Sequence, residues 1–569
     1  MTGTPTPSPI RIGNASGFYG DRLSAFHEML TGGDLDILTG DYLAELTMLI
    51  LGKDLMRNPG AGYAKTFLRQ LEQCMALAVD KGVRIVTNAG GLNPAGLAQE
   101  ITTLAQRIGV SIEVAYVAGD DLRDRAGELG LGIPLTANAY LGAWGIAEAL
   151  RAGADIVVTG RVTDASLAVG PAAAHFGWAP DDFDTLAGAV VAGHIIECGP
   201  QATGGNYPFL DEIDTSRPFG FPIAEVHADG SSIITKHPGT GGLVSVGTVT
   251  AQLLYEIGGP RYLGPDVTTR FDTVELEQVG PDRVRVHGTR GEAPPSTAKV
   301  CLNHMGGFRN QVTFVLTGLH IAAKADLIRT QLTAALLTRP QELVWTLAHT
   351  DRPDATTQEQ ASALLRVSVK DPDPTVAGRA FSQAAIGLAL ASIAGFTVTS
   401  PPGDASPFGI YTPAYVPAEQ IDHVVVLSDG TRRPIRPVPS DVEPQSITDQ
   451  PLPEPLSAGP VRRLPLGTVA GARSGDKGGD ANVGVWARTD AEWRWLARFL
   501  TVDEFRRLLP ETAELPVRRY VLANLRALNF VVEGLLGQGV AASTRFDPQA
   551  KGVGEWLCSR LVDIPEVLL

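Results

Sequence analysis

The chain has 569 residues, 44% of them hydrophobic and 19% charged, which excludes intrinsic disorder and exceeds what one core usually supports, so about three domains or subdomains are expected. A formal net charge of -15 excludes a general nucleic-acid or anionic-membrane surface and leaves room only for a local basic pocket. Cys74, Cys198, Cys301 and Cys558 are scattered without a CxxC pair, the opening MTGTPTPSPIRIG lacks a signal-peptide pattern, and no apolar run reaches the ~18 residues of a membrane span. The expectation is a cytoplasmic protein with reduced thiols, no metal site, no nucleic-acid partner and no membrane partner.

From residue 9 to 206 short apolar runs alternate with helical patterns, the rhythm of an α/β fold with a doubly wound, mostly parallel sheet. Strands are predicted at Ile10 to Ile12, Leu35 to Leu38, Val83 to Thr87, Ile112 to Val117 and Ile156 to Thr159. Helices are predicted at Ala64 to Asp80, Pro94 to Gln106, Leu141 to Ala152 and Asp164 to His175. Four of these strands run into polar or glycine-bearing loops (GNASGFYGD, TGDYLAE, TNAGGLNP, TGRVTDAS), which should converge at the carboxyl ends of the strands.

Between 207 and 431 hairpin-like runs such as GFPIAEVHADGSSIITKH mix with helices near Ala322 to Leu337 and Ala380 to Ala394, suggesting a second α+β subdomain. Residues 432–460 are proline-rich and aperiodic, as in an extended linker. Residues 461–569 have the composition of a small α+β domain, with a strand at ANVGVWA and helices at Ala491 to Leu509 and Val517 to Ala527.

Within this frame several loops carry chemistry. GNASGFYGDR, holding Gly17, lies between a strand and a helix, where amides favour an anion; the GxGxxG spacing is absent, so it reads as a substrate loop or a structural turn rather than a dinucleotide site. TNAGGLNP places Gly90 at another strand end. Arg161 and Asp164 are suited to hold an anion and move a proton, although Asp164 equally fits a helix N-cap.

GHIIECGPQATGGNY brings His194, Glu197 and Cys198 within about one helical turn, ahead of Gly204. Glu197 is a candidate general base and Cys198 a candidate nucleophile, while a cysteine is as often a small apolar residue. KHPGTGG, with Lys236 and Gly241, either receives a phosphate on free amides or makes a tight connection. GARSGDKGGDANVGVWAR contains no GK[ST], and Asp476 and Asp480 oppose a phosphate; counting 12 positions from Asp476 reaches Ala487, which no calcium loop uses. A turn, a contact made through Lys477 and Asp480, and other chemistry stay open there.

Together GFYGDR, GDLDILTGDYLAELTM, TNAGGLNP, VTGRVTDASL, GHIIECGPQATGG, KHPGTGGLVSVGTVTAQLLYEI and ARSGDKGGDANVGV resemble the acyclic terpene utilisation AtuA family over most of the chain. The resemblance implies a large family domain, a small C-terminal ferredoxin-like companion, and a role in breaking down acyclic terpenoids or branched acids as acyl-CoA thioesters. It brings no accepted catalytic residues, and the chain departs from the family at Gly479, where asparagine is common.

On this footing the expected chemistry is hydration or carbon–carbon lysis of a branched acyl-CoA or related carboxylate, with no cofactor beyond the CoA carried by the substrate. Glu197 or Asp164 would move the proton, with Cys198 a further catalytic candidate. Arg161 and Lys236 would hold the anionic end, and Gly17, Gly90, Gly204 and Gly241 would bind carbonyl or phosphate oxygens. Lys477 and Asp480 would line a docking contact of the small domain, in the same chain or in a homo-oligomer. The alternative is a non-catalytic acyl-CoA-binding or assembly subunit.

Overall fold

The computed structural model describes residues 7–440 and 450–569. The start of the opening segment and residues 441–449 of the expected linker lie outside the described residues. Two compact units result: one runs to Asn303 and adds Tyr411–Val540 and Gln549–Leu569, the other comprises His304–Ile410 and Ala541–Pro548.

In the first unit five strands form a parallel centre in the spatial order Ile10–Asn14, Ile37–Gly40, Arg84–Thr87, Ile156–Thr159, Val114–Ala118. The runs ILTG and IVVT are buried throughout, as strands covered on both faces must be. The register sets Ile12 beside Ile37, Leu38 beside Ile85 and Val86 beside Val157. Helices Lys65–Asp80 and Pro94–Ile108 pack against the sheet, the latter capped by Asn93 accepting from Gly96 N at 2.9 Å.

The change of pattern near residue 207 does not divide the molecule in space. Pro222–Val226 and Ser232–Lys236 form a hairpin that pairs antiparallel with Ile10–Asn14, and Glu275–Gly280 with Arg283–His287 continues the same sheet. Ile223, Ala224 and Ile234 are fully buried in this hairpin, so its apolar face belongs to the first core. On the far edge Val424–Val426 and Arg432–Pro434 are added, making an 11-stranded mixed sheet whose centre alone is parallel.

Helix Phe183–Ile196 is apolar on every side and buried from Leu186 onward. Such a helix belongs inside a core rather than on its surface. Its length carries His194 and the following Glu197 toward the strand ends.

The small domain has four antiparallel strands in the order Ala470–Lys477, Asp480–Ala487, Ala527–Val532, Val517–Leu522, with helices Asp490–Phe499, Val502–Leu508 and Val553–Cys558. Thr489 and Glu492 form a capping box at the first helix. The helix expected at Val517 to Ala527 is instead a strand and a turn. Val517 and Val521 are β-branched, and pairing with Ala527–Val532 through a turn at Arg526 (φ 49°) outweighs their helical spacing. Val461–Pro465 and Leu561–Pro565 form a separate two-stranded ribbon.

In the second unit, Ser362–Asp371 pairs antiparallel with Glu342–Ala348 and with residues 308–317, and helix Ile321–Ala335 buries Ala325, Ile328 and Leu332. Among the described residues no helix is long and apolar enough to cross a membrane.

Candidate functional site

The floor of the site is built from residues that follow the parallel strands. Asn14 ends the first strand, and its Nδ2 donates to the carbonyls of Ile196 (2.7 Å) and Glu197 (2.9 Å), tying the buried helix to the sheet. Asn88, after the third strand, donates to Asp41 Oδ1 at 2.6 Å and accepts from Tyr42 N at 2.7 Å. Asp120 accepts from Arg161 N and from Asn138 Nδ2, both at 2.8 Å, which fixes the backbone that presents Arg161. Burial raises Asp120 to about 7 despite these donors.

Arg161 is 3% exposed. Its Nη1 donates to Leu43 O at 3.0 Å and Asp164 Oδ1 at 2.8 Å, and its guanidinium lies 4.4 Å from the centre of the Tyr140 ring. Burial opposes its charge, but Asp164 foremost among its neighbours outweighs that and keeps it cationic. Tyr140 donates to Glu45 Oε1 at 2.9 Å, and Lys299 Nζ stands 3.9 Å from the same oxygen and 4.8 Å from the Tyr140 ring. Burial would raise Glu45, yet Lys299 and Arg161 prevail and hold it at about 2.

On the other wall Glu197 is 8% exposed and His194 1%. His194 Nδ1 lies 2.9 Å from Glu197 Oε1, and the imidazole packs against the stacked pair Tyr262 and Phe271, each with its ring centre 5.4 Å away. Burial, then Lys477, pushes His194 down to about 4, so the imidazole is neutral at pH 7. Burial raises Glu197 well above the usual carboxylate range, and Asp164 and Glu256 push it further. Burial also raises Asp41 and Asp164, in Asp164 against the pull of Arg161. Cys198 is raised by burial and then by Glu197, so its thiol is protonated and a poor nucleophile at neutral pH.

The small domain closes this cleft with the glycine-rich hairpin. The turn between Lys477 and Asp480 has Gly478 at φ 68°, a conformation side chains resist. A Cβ on Gly475 would lie 2.4 Å from the Tyr255 ring, so glycine allows the hairpin to rest on that ring. Lys477 Nζ donates to Glu256 O at 2.7 Å and sits 5.7 Å from the Tyr262 ring centre. Asp476 is raised to about 7 by burial and by Glu256. Lys551 reaches the Tyr255 hydroxyl, with its ammonium 4.6 Å from the ring centre.

Glu256 has φ 56°, a left-handed backbone for a non-glycine residue. Two buried asparagines hold it there. Asn482 accepts from Glu256 N at 2.7 Å and donates to Leu254 O at 2.9 Å, while Asn529 donates to Ile257 O at 3.3 Å. Burial raises the Glu256 carboxyl, with Lys551 and Lys477 pulling the other way.

Of the residues singled out from sequence, Arg161, Asp164, Glu197, Cys198 and Lys477 meet in this cleft. Gly17 packs against the Cys198 backbone, where a Cβ would come within 2.6 Å, and Gly90 packs similarly on Thr159 O. Lys236 is elsewhere engaged, 3.1 Å from Asp282 Oδ2 and 3.0 Å from Thr240 O. The Gly241 amide donates to Pro218 O and the Gly204 amide to Gln201 O, so both serve the chain's own folding. Asp480 accepts from Gly534 N at 2.8 Å inside the small domain. A Cβ on Gly479 would approach Gly537 O to 2.3 Å, so a side chain there would need the Gly537 backbone to shift.

Sequence reasoning missed Asp41, Glu45, Tyr140, Glu256, Tyr262, Lys299 and Lys551. Asp41 and Glu45 carried a signal, their place in the loop TGDYLAE after a strand. Among the described residues no group of three or more histidine, cysteine, aspartate or glutamate side chains is arranged to hold a metal ion.

Comparison with known families finds the acyclic terpene utilisation family protein AtuA over residues 10–427 and the AtuA ferredoxin-like domain over residues 464–563. No curated protein matches the chain.

Proposed function

The chain belongs to the acyclic terpene utilisation family AtuA, and from that membership we propose that it is an enzyme of acyclic terpenoid or branched-acid catabolism, acting as a hydratase or lyase on a branched acyl-CoA or related carboxylate. What supports this reading is one feature of the cleft: Glu197, Asp164 and Glu256 are raised carboxyls set beside the cations Arg161 and Lys299. Carboxyls whose hold on the proton is raised are suited to act as general acids, and cations beside them stabilise the oxyanion that forms when a thioester becomes an enolate.

For hydration, a carboxylate takes a proton from water as its oxygen bonds to the β-carbon. Electrons move to the thioester oxygen, held by Arg161 or Lys299, and protonated Glu197 delivers a proton to the α-carbon. One water is gained and the acid and base exchange states. In the lytic direction a base removes a hydroxyl proton, the carbon–carbon bond breaks, and the same acid quenches the enolate. Neutral His194 beside Glu197 is a spacer in an aromatic pocket, adding no charge at pH 7.

The test is incubation of pure protein with branched enoyl-CoA and 3-hydroxyacyl-CoA compounds, read by mass spectrometry. Gain or loss of water, or two carbon fragments, is expected with at least one of them. Failure of folded protein to convert any of them overturns the reading, and binding without conversion would favour an acyl-CoA-binding subunit.

A further inference from the structure

We propose that Lys477 is a nucleophile that forms an imine with the carbonyl group of a keto acid or aldehyde held in the cleft. The proposal rests on the same cleft as the reading above but not on hydration.

Lys477 differs from the lysines held by carboxylates, while Lys551 in the same cleft reaches the Tyr255 hydroxyl. Lys236, Lys299 and Lys370 lie 3.1, 3.9 and 3.0 Å from carboxylates of Asp282, Glu45 and Glu342. Lys477 instead donates to a backbone carbonyl, Glu256 O, and its side chain remains exposed within the cleft. A lysine bound to a carboxylate is a cation by design; one bound to a carbonyl and open to solvent can lose its proton and attack.

The surroundings supply what that step needs. Lys477 is surrounded by enough protein that its ammonium is disfavoured, and Lys299 disfavours it further. A second cation beside a lysine is a recognised means of making an amine nucleophilic near neutral pH. Glu197 and Glu256 favour the ammonium, against burial and Lys299, and as raised carboxyls they are the acids close by for the dehydration. The hairpin fixes the amine: two paired strands carry it and Gly475 seats them on Tyr255.

The step balances. Neutral Nζ adds to the carbonyl carbon, the carbonyl oxygen takes a proton, and one Nζ proton passes to a carboxylate. A second proton, given by Glu197 or Glu256, lets the hydroxyl leave as water while the remaining Nζ lone pair closes the carbon–nitrogen double bond. Protonated, that imine accepts electrons from a breaking bond at the neighbouring carbon, with Arg161 and Lys299 retaining an acidic substrate.

Borohydride reduction tests this without requiring turnover. Folded protein is incubated with acetoacetate or isovaleraldehyde, reduced, and weighed intact; a reduced imine adds the mass of the probe less one oxygen. Nine lysines occur in the chain, so peptide mapping locates the adduct directly. The expected result is a single adduct at Lys477, reduced at least about tenfold in Lys477→Ala and in Lys477→Arg. In Lys299→Ala the labelling at neutral pH weakens and returns at higher pH, because removing the neighbouring cation restores the ammonium. No adduct on folded wild type, an adduct confined to other lysines, or undiminished labelling of Lys477→Ala overturns the proposal. Since trapping reads bond formation, it can succeed while the acyl-CoA panel fails, and fail while that panel succeeds.

Discussion

Replacing Asn482 with alanine tests whether the small domain holds the Glu256 segment in its conformation. Asn482 is fully buried, accepts from Glu256 N at 2.7 Å and donates to Leu254 O at 2.9 Å. Glu256 keeps a left-handed backbone at φ 56°, which costs a non-glycine residue about 1–2 kcal/mol and so needs an anchor outside its own segment. Alanine removes the partner of both backbone groups. At about 1–3 kcal/mol for each buried group left unpaired, the loss is roughly 2–6 kcal/mol. Even the lower figure, about 2 kcal/mol, is about 30-fold in a local opening equilibrium. Hydrogen exchange read by mass spectrometry should therefore show amides in residues 250–258 exchanging at least about 30-fold faster, with those of the parallel strands unchanged. Exchange in that segment within about threefold of wild type would refute the anchoring role.

Three further outcomes follow from the same geometry. Glu197→Gln should leave ligand binding intact while turnover of whichever substrate the panel identifies falls by about 10²–10⁴; unchanged turnover removes Glu197 from proton transfer. Gly475→Ala puts a Cβ 2.4 Å from the Tyr255 ring, and overpacking of about 1–3 kcal/mol should lower the urea midpoint; an unmoved midpoint denies the close approach. The pH dependence has two opposite signs. Glu45, held at about 2, adds stability that is complete above the ordinary carboxyl range and disappears as pH falls toward 2, so Glu45→Gln should flatten the acid limb. Asp120, raised to about 7, makes the native state keep a proton the unfolded chain has released, so stability falls as pH rises toward 7 and Asp120→Asn should remove that slope. Thermal scans across pH settle both, and unaltered slopes count against the assigned environments.

The parallel centre was legible because its strands are short apolar runs with helices between them. Ile156–Thr159 matched residue for residue, and knowing its direction put Arg161 and Asp164 at the correct end. Glu197 was legible because His194, Glu197 and Cys198 crowd within about one helical turn, whereas the apolar helix Phe183–Ile196 that presents it was not among the predicted elements. What local pattern cannot carry is pairing between distant segments. Lys299 meets Glu45, and Lys551 meets Tyr255, across separations that no periodicity encodes. The strand Val517–Leu522 was misread for the same cause, since its spacing suits a helix until the Ala527–Val532 strand is beside it. The hairpin 222–236 likewise read as a new subdomain because the strand it joins lies two hundred residues earlier.

Charge explains why the glycine-rich hairpin belongs at this place. Among the described residues the large domain brings Asp41, Glu45, Asp164, Glu197 and Glu256 to the cleft with the cations Arg161 and Lys299, and carboxylates so crowded repel one another in a medium that screens poorly. Two responses are open to such a cluster: some members hold their protons more tightly, or basic groups are added. Glu197, Asp164 and Glu256 are raised, and the small domain brings the basic side chains Lys477, Lys551 and Arg473 beside the acid Asp476. A two-strand hairpin with glycine at Gly475, flat on Tyr255, and at Gly478, in the turn, brings the ammonium to 2.7 Å from the Glu256 carbonyl. The glycines thus set the distance at which the Lys477 amine meets the large domain.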